Sequence, residues 1–549
     1  MGNKLSINKR LYLPVALMSC LFLFNGCTYV NKVKELNETP PIMEISSDTI
    51  HEINVMKLKE GPQGVTVEDI AREPELDKIT LSIEECRALT LENNLELRAE
   101  LITPTINKEN IRQAEAKFEP SFSGNSTFSK NDSPSSSSLQ PSKSESLTTN
   151  LGVDMPLRTG GTLSFDLADS YYKTDLTNYD DPESYTTDLS VSISQPLLKN
   201  AGKNASTYSI RVAQYNSRAA DLRTKIAAIR IIAAVDRAYW NLYASRRMLE
   251  VRNQQYEYAK TTYEETKRFV EVGVKAKIEV IRTQKQMADA ATQIITAEND
   301  VRQRERELKR MINKKGLGME TRTIIIPSSP PEPVRYNLDR ESLVKYALEN
   351  RMEMLELELQ LAKDGMDIEY SKNQLLPDLT LDYKYNINGL SSETRGDSYD
   401  MLFDNDHNDH RITLRATIPL GNKKAKSQLR QSEYERAQRL ITREDKEAEI
   451  KSDVLNQIDS LEAAWQSILA RRQNTILSDE QYRAEKRQYE LGLVNSTDLL
   501  KAQTDLAEAQ RAEIAAITEY QVGLINLAYA SGTLLGEARI EWEPIVPVD

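Results

Sequence analysis

The feature that most constrains the fold of this sequence is an internal repeat, in which two halves of the chain carry matching residues in the same order. The triplet Leu-Glu-Asn at 91–93 recurs at 348–350, and a later match joins Trp240 to Trp465. Because the matches keep one order through both halves, chance similarity explains them poorly. Further matched pairs are Leu81 and Leu338, Pro120 and Pro377, Pro196 and Pro419, Gly273 and Gly492, and Gln284 and Gln503.

Each half has the same predicted layout: a short helical lead, a stretch of alternating residues, and two long helices joined near a glycine. The sequence therefore predicts two internal repeats rather than a string of globular domains. The predicted ranges are 79–335 for repeat one, with strands at about 121–195 and a helical hairpin at about 200–316, and 336–549 for repeat two, with strands at about 379–418, a hairpin at about 421–536 and a C-terminal tail.

Apolar residues alternate with polar ones over 379–387 and 412–418, and shorter alternating runs lie before Pro196. A period of two predicts strands with one apolar and one polar face. Such segments suit a transmembrane β-barrel, and the alternative is a soluble, half-buried hairpin. Roughly six strands are fewer than the smallest barrel needs, so a barrel would take strands from several chains. The polar stretches 131–146 and 388–410 are predicted to be loops.

Apolar residues recur at steps of three and four over 222–243 and 450–468, with Asp236 and Gln457 at seam positions. A narrow stripe of this kind is typical of coiled-coil packing. A helix of about 65 residues would extend over about 100 Å. We expect the two helices of each hairpin to reverse at Gly273 and Gly492.

The first 26 residues have the pattern of a secretory signal peptide, with a basic start, a short apolar run and Gly26 before Cys27. The apolar run is too short for a membrane-spanning helix. The segment ending at Cys27 resembles a bacterial lipobox, which implies lipidation of this cysteine and, because Thr28 follows, export to the outer membrane. The alternative is an ordinary signal peptide with an incidental cysteine. Residues 27–78 are predicted to form a polar, loosely ordered lead.

The composition argues against several classes of function. With 83 Asp and Glu against 71 Lys and Arg, the formal net charge is −12, which disfavours nucleic-acid binding. Three histidines and three cysteines leave little material for a zinc site or a nucleophilic pair, and no nucleotide-binding, HExxH or CxxC motif occurs. Acids and histidines at 404–410 could hold a divalent ion, but a solvated loop explains them better. We therefore predict no catalytic residue, no cofactor and no metal.

Two segments near the second helix reversal are distinctive: Tyr-Glu-Leu-Gly-Leu-Val at 489–494 and Thr-Asp-Leu-Leu-Lys-Ala-Gln at 497–503, with a weaker copy at 269–280. In this order, over about 79–540, they resemble the TolC-like outer-membrane efflux protein family. The resemblance implies a mixed α/β membrane protein. It would be a homotrimer with one shared transmembrane β-barrel and a long α-helical coiled-coil tunnel across the periplasm.

By the same resemblance, the two helix reversals form the periplasmic end of the tunnel and receive a periplasmic adaptor protein. The residues that correspond to this docking surface are Gly273, Val274, Gly492 and Leu493. The alternative is that these residues are only helix caps and turns.

The resemblance also implies a gate at this end, closed by polar links between helices. Tyr489 matches the gate tyrosine, Glu279 its carboxylate partner and Asp498 an acidic gate position. Lys501 stands where the family has a second acid and Val494 where it has an arginine, so one link is absent and the lining has mixed charge. The alternative is that Glu279, Tyr489, Asp498 and Lys501 are solvated residues of helix faces.

The resemblance finally implies a passive exit duct in the cell outer membrane, anchored there by lipid and extending into the periplasm. An inner-membrane pump would deliver substrates through the adaptor, because this chain has no nucleotide site. The alternative is a non-conducting periplasmic coiled-coil scaffold tethered by Cys27. A scaffold gives no reason for one-sided strands such as 379–387. An enzyme would need a convergent pocket that the sequence does not indicate.

Overall fold

The alternating stretches lie in the strands of one large sheet in the computed structural model, which describes residues 77–134, 141–175 and 183–541. The predicted signal peptide 1–26, Cys27 and nearly all of the lead 27–78 lie outside the described residues. Numbered along the chain, the strands are β1 (Lys78–Leu81), β2 (Ser121–Asp132), β3 (Lys143–Pro156), β4 (Thr162–Thr174), β5 (Glu183–Pro196), β6 (Ile324–Pro327), β7 (Asp378–Ser391) and β8 (Asn408–Thr417).

Six of these strands form an antiparallel sheet in the order β2-β3-β4-β5-β7-β8. Directly paired residues share a face of a sheet, so the register sorts the side chains into rows. One row is apolar across the four central strands, with Leu151, Leu167, Leu189 and Ile387, and ends at Gly124 of β2 and Asn408 of β8. The adjacent row on the other face is mostly polar: Asn150, Ala168, Asp188 and Asn388. The sheet therefore has one apolar face and one polar face.

The sheet is open at both ends in the described residues, because β2 pairs only with β3 and β8 pairs only with β7. These edge strands expose large apolar side chains, among them Phe122 and Phe128 on β2 and Ile412 and Leu414 on β8. An exposed apolar edge with unpaired backbone groups is a ready site for pairing with another chain. The backbone groups on the outer sides of β2 and β8 therefore lack hydrogen-bond partners within this sheet.

Four helices dominate the rest of the chain, and they come as two pairs in which a long helix is followed by a 36-residue helix. The helices are α1 (Ile83–Asn93), α2 (Leu95–Glu100), α3 (Thr103–Glu115), α4 (Lys203–Ser206), α5 (Tyr208–Glu271), α6 (Lys277–Ile312), α7 (Arg340–Asn350), α8 (Met352–Gln374), α9 (Arg395–Asp404), α10 (Lys423–Glu490), α11 (Ser496–Ser531) and α12 (Leu534–Glu537).

The predicted helix seam is right in part. In α10 the buried stripe passes through Ile458 and leaves Gln457 half-buried, so the assignment of Gln457 to the seam is wrong. In α5, Asp236 is buried, as expected for a seam residue. Leu222 and Ile226, which were also expected on the seam, are only half-buried. The reason is that α3, α6, α8 and α11 all pack on α5, so its buried surface is broader than a two-helix seam.

A small parallel sheet that the sequence did not predict ties this core together. Strand β1 pairs with β6, although the two lie far apart in the sequence. The buried Tyr239 of α5 joins them, because its hydroxyl donates to the Leu81 carbonyl at 3.2 Å and accepts from the Ser329 N–H at 2.9 Å. The strand pair thus fixes the start of the described chain against the middle of α5.

Both stretches predicted as loops are partly regular structure. Strand β2 continues to Asp132 and β3 begins at Lys143, because ladder pairing does not require apolar side chains and Lys130 pairs with Glu145 across it at 2.5 Å. Within 388–410, β7 continues to Ser391 and the helix α9 follows. Thr394 starts α9 by accepting a hydrogen bond from the Asp397 N–H.

None of the helices in the described ranges combines the length and the apolar character needed to cross a membrane.

A buried ion pair holds α1 against α5, and its loss should destabilise the fold. Arg87 binds Asp236 through two bonds of 2.8 Å, and burial raises the pKa of the Asp236 carboxyl while Arg87 opposes the rise. We expect Arg87→Ala to reduce the free energy of unfolding by about 3–5 kcal/mol, because it leaves a buried charge unpaired. The exposed Arg112, paired with Glu109, gives the control Arg112→Ala, which should change stability by less than about 1 kcal/mol. Equal losses in chemical unfolding would contradict this role.

Candidate functional site

Each long helix reverses through a five-residue turn, and these turns are where the sequence places the functional residues. We call residues 272–276, between α5 and α6, tip one, and residues 491–495, between α10 and α11, tip two. Gly273 and Gly492 lie in them with φ of +78° and +73°. A Cβ at either glycine would meet nothing within 4 Å, so the left-handed backbone, and not lack of space, explains the glycine.

Each tip exposes an aliphatic residue on both sides of its glycine. Val274 and Leu493, two of the predicted docking residues, are 63% and 73% exposed. Val272 and Leu491 are exposed as well, and the sequence analysis missed them. The signal was present in the sequence, since both tips read as an aliphatic residue, a glycine and an aliphatic residue. Each tip therefore has an exposed apolar surface, and the two surfaces match.

Tyr489 is fully buried at the base of tip two, where it contacts the other helix pair. Its hydroxyl forms a 2.6 Å hydrogen bond with the Thr266 hydroxyl of α5. Its ring meets the Phe269 ring edge-to-face, with 6.3 Å between centroids. Burial raises the pKa of Tyr489, so the phenol stays neutral and able to donate a hydrogen bond. Tyr489 thus joins α10 to α5 next to both tips.

Lys275 of tip one covers the same tyrosine, and the sequence analysis did not single it out. Its Nζ lies 3.1 Å from the Tyr489 ring centroid and 5.1 Å from that of Phe269. The buried Nζ makes no hydrogen bond to any described residue, and burial lowers the pKa of Lys275. An ammonium over an aromatic face is held by the ring quadrupole, most strongly where water is excluded. Lys275 is therefore a cation–π contact between the two tips.

Glu279 makes a separate link between the two helix pairs. It accepts a hydrogen bond from the Ser496 hydroxyl at the start of α11 and pairs with Arg282 at 2.7 Å. Tyr489 and Glu279, expected as partners, are thus not bonded to each other in this protomer. We call the contacts among Thr266, Lys275, Glu279, Tyr489 and Ser496 the tip clasp.

The two remaining residues of the predicted gate lie outside the clasp. Asp498 and Lys501 are exposed on the first turns of α11. The Asp498 N–H donates to the Asn495 side chain, which caps this helix. The protomer brings neither side chain to Tyr489 or Glu279.

The acidic loop near β8 shows no metal centre. Among the described residues, no group of three or more His, Cys, Asp and Glu side chains is placed to hold a metal ion. His410 instead forms a 3.0 Å contact with the Tyr383 hydroxyl, and Asp409 accepts a hydrogen bond from Asn388.

The tip clasp predicts local effects of single substitutions on tip opening. We expect Lys275→Met to speed amide hydrogen exchange in both tips by about thirtyfold, because a desolvated cation–π contact contributes about 2 kcal/mol. Tyr489→Phe keeps the ring and loses only the Thr266 bond, so its effect should be about fivefold.

The control is Lys285→Met, which removes an exposed lysine paired with Asp289 on α6 and should leave exchange in the tips unchanged. If amide exchange in tip two is as slow in the Lys275→Met protein as in the wild type, the cation–π contact does not join the tips.

Known proteins resemble this chain over most of its length. Outer membrane protein TolC of Vibrio cholerae is 23% identical over 344 residues, which are 60% of this chain and 74% of that protein. A membrane protein from Pseudomonas aeruginosa has a TM-score of 0.63 at 17% identity, covering 82% of this chain and 93% of its own. The CmeC outer membrane channel of Campylobacter jejuni has a TM-score of 0.59 at 13% identity, covering 88% and 94%. The structural matches show a shared fold.

The model of one protein family, described as outer membrane efflux protein, matches residues 162–314 and 343–533. These two segments make up more than half of the chain, and they contain both tips and every residue of the tip clasp. The predicted family resemblance is confirmed: the chain belongs to the outer membrane efflux protein family.

Proposed function

We propose that this chain forms the outer-membrane exit duct of a tripartite efflux or secretion system, as a homotrimer that conducts substrates passively. The observation that carries the proposal is the two-faced, open-edged sheet, which belongs to the same chain as the long paired helices. The family is one of transport proteins and not of enzymes. The proposal also includes the closed barrel, the trimer, the two internal repeats and the partner proteins.

The sheet supports a shared barrel. Its apolar face carries exposed side chains such as Phe165, Leu189 and Ile193, and its polar face suits a water-filled lumen. In a bilayer the unpaired backbone groups of β2 and β8 would each cost several kcal/mol, so the sheet has to close. Six strands are too few for closure by one chain, and β8 of one copy pairing with β2 of the next supplies it.

The long helices support a tunnel. With 64 residues in α5 and 68 in α10, each extends over about 100 Å at about 1.5 Å per residue. Both begin shortly after a strand of the sheet and end at a tip. Helices of this length, three copies of each pair, would carry the lumen from the barrel to the periplasmic end. The two halves, 79–335 and 336–549, contribute one helix pair each, as two internal repeats would.

The tips support a gated docking site. The exposed aliphatic residues around Gly273 and Gly492 offer apolar contacts to a periplasmic adaptor, and the tip clasp beneath them holds the two helix pairs together. Adaptor binding would favour the open state only by the difference in its affinity for the two states. Since the sequence has no nucleotide-binding motif, the energy for transport comes from an inner-membrane pump.

The proposal includes a lipid anchor at Cys27 after removal of residues 1–26, and localisation in the cell outer membrane. This part rests on the sequence pattern alone, because these residues lie outside those the structure describes.

Conductance of the purified protein in a planar bilayer tests the duct and its gate together. We expect a small, steady current from the wild type and a current about tenfold larger from Glu279→Ala. The substitution removes the link to Ser496, and a charge-assisted hydrogen bond contributes about 1.5–3 kcal/mol.

The control is Glu307→Ala, which removes a half-buried acid paired with Arg304, far along α6 from the tips, and should conduct like the wild type. Well-folded assemblies that pass no current in any variant would contradict the duct and favour the non-conducting scaffold.

A further inference from the structure

Helix α9, which the sequence analysis took for loop, lies against the large sheet near one end of its strands. Arg395, at its first turn, pairs with Asp169 of β4 at 3.3 Å. One turn later, the Ser398 hydroxyl bonds the Thr187 hydroxyl of β5 at 2.9 Å, and both side chains are fully buried. Past the helix end, Asn405 accepts a hydrogen bond from Tyr385 of β7. The helix therefore crosses three strands.

The register shows that this is the apolar face of the sheet. Asp169 pairs with Thr187, which pairs with Gly389, so the three share one row and one face. Two residues away along the strands, on the same face, lies the row of Leu151, Leu167, Leu189 and Ile387. In the proposed barrel this face meets lipid, so α9 lies on the outside of the barrel and not in its lumen.

The close approach of the helix depends on Gly389. A Cβ there would lie 2.0 Å from the Ser398 carbonyl oxygen and 3.2 Å from that of Thr187. Contacts under about 3 Å force the backbone apart. The row beneath α9 is polar, whereas the rows on either side of it are mostly apolar, and α9 covers it with Arg395 and Ser398. The polar side chains of α9 therefore bind the polar side chains of this row.

Along the direction of the strands, α9 lies where a membrane barrel has its rim. The next row outward on this face contains Phe128, Leu147, Tyr171 and Tyr185, and the row beyond it contains the ion pairs Lys130–Glu145 and Lys173–Glu183. Membrane barrels carry an aromatic girdle at the interface, with charged residues beyond it. Arg395 is placed just inside this girdle, at the depth where interfacial helices lie.

The outward side of α9 has an acidic flank with an aromatic residue at its border. At about 100° per residue, Asp397, Asp400 and Asp404 form one acidic flank about 60° wide, and Phe403 lies about 60° beyond Asp400 at its border. Phe403 is 86% exposed, which is unusual for a large aromatic residue on a short helix. At a bilayer interface, an aromatic side chain at the border of a polar helix face enters the acyl boundary while the charged side chains stay in water.

We propose that α9 is an interfacial helix that rests on the outer surface of the barrel and inserts Phe403 into the outer leaflet of the membrane. The inference rests on the proposed barrel. Lipid is the occupant because the surface around α9 is continuous with the apolar face of the sheet, and because Phe403 is exposed there at the border of the acidic flank. The Arg395–Asp169 and Ser398–Thr187 contacts hold the helix there, and they close the polar row to lipid.

Spin labels at single cysteines test this in vesicles of phosphatidylcholine and phosphatidylglycerol. The variants are Phe403→Cys, its neighbour Asp404→Cys on the acidic flank, and Ile193→Cys on the apolar face of β5. Cys86 is buried, and burial raises its pKa to about 12, so its thiol does not compete for the label. Wild-type protein treated with the same reagent gives the background from any other thiol.

We expect the label at 403 to collide several-fold more with oxygen than with a water-soluble nickel chelate, as the label at 193 does, and the label at 404 to show the reverse. A label at 403 that prefers the nickel chelate, while 193 prefers oxygen, overturns the interfacial helix and leaves the barrel standing. An immobile label at 403, shielded from both reagents, overturns it in favour of contact with a second copy. If 193 also prefers the nickel chelate, the barrel itself fails.

Gly389→Ala gives an independent check on the helix position. The added methyl should push α9 off the sheet and make the label at 403 several-fold more accessible to the nickel chelate. The matched control is Gly124→Ala on the same face, where a Cβ meets its nearest neighbour at an ordinary 3.4 Å and the label should not respond. An unchanged label in Gly389→Ala would show that α9 is not seated in this row.

Discussion

The unpaired backbone groups along β2 and β8 set the constraint on which the rest of this structure depends. A sheet with one apolar face belongs in contact with lipid or with a core, and in lipid no edge can stay open. In the described residues the sheet has too few strands to close by itself, so the proposed barrel would require further copies of the chain. Copies arranged around one axis would also fix the helices that follow the strands, and these helices would end at a common level.

The tip clasp is where this architecture could change state without unfolding. Its contacts are few, and they are of two kinds: hydrogen bonds to Thr266 and Ser496, and a cation–π contact from Lys275. Contacts of this sort contribute a few kcal/mol together, which a binding partner could offset. The core of α5 and the β1–β6 pair, by contrast, are buried and extensively bonded. Opening would therefore stay local to the tips.

Much of the architecture could be predicted, because it follows from short-range periodicity. Period-two runs such as 379–387 lie in strands, and Gly273 and Gly492 lie in the turns between helices. What the sequence did not predict depends on contacts between distant segments. Lys275 resembles any surface lysine until the fold brings Tyr489 beneath it, and α9 is a short, acidic helix with little periodicity of its own. The resemblance implied that Tyr489 and Glu279 bind each other. In the structure Tyr489 binds Thr266 and Glu279 binds Ser496.

Cross-linking between the sheet edges tests most directly whether copies of the chain close the sheet into one barrel. A cysteine at Thr413 of β8 is combined in turn with one at Ser123, Asn125 or Thr127 of β2, all on the polar face, and the protein is oxidised in its native membrane. We expect one pairing to yield a covalent trimer with no larger species, while each single-cysteine protein stays monomeric on a denaturing gel. Monomers alone from every pairing, or an open ladder of oligomers beyond the trimer, would contradict the shared barrel.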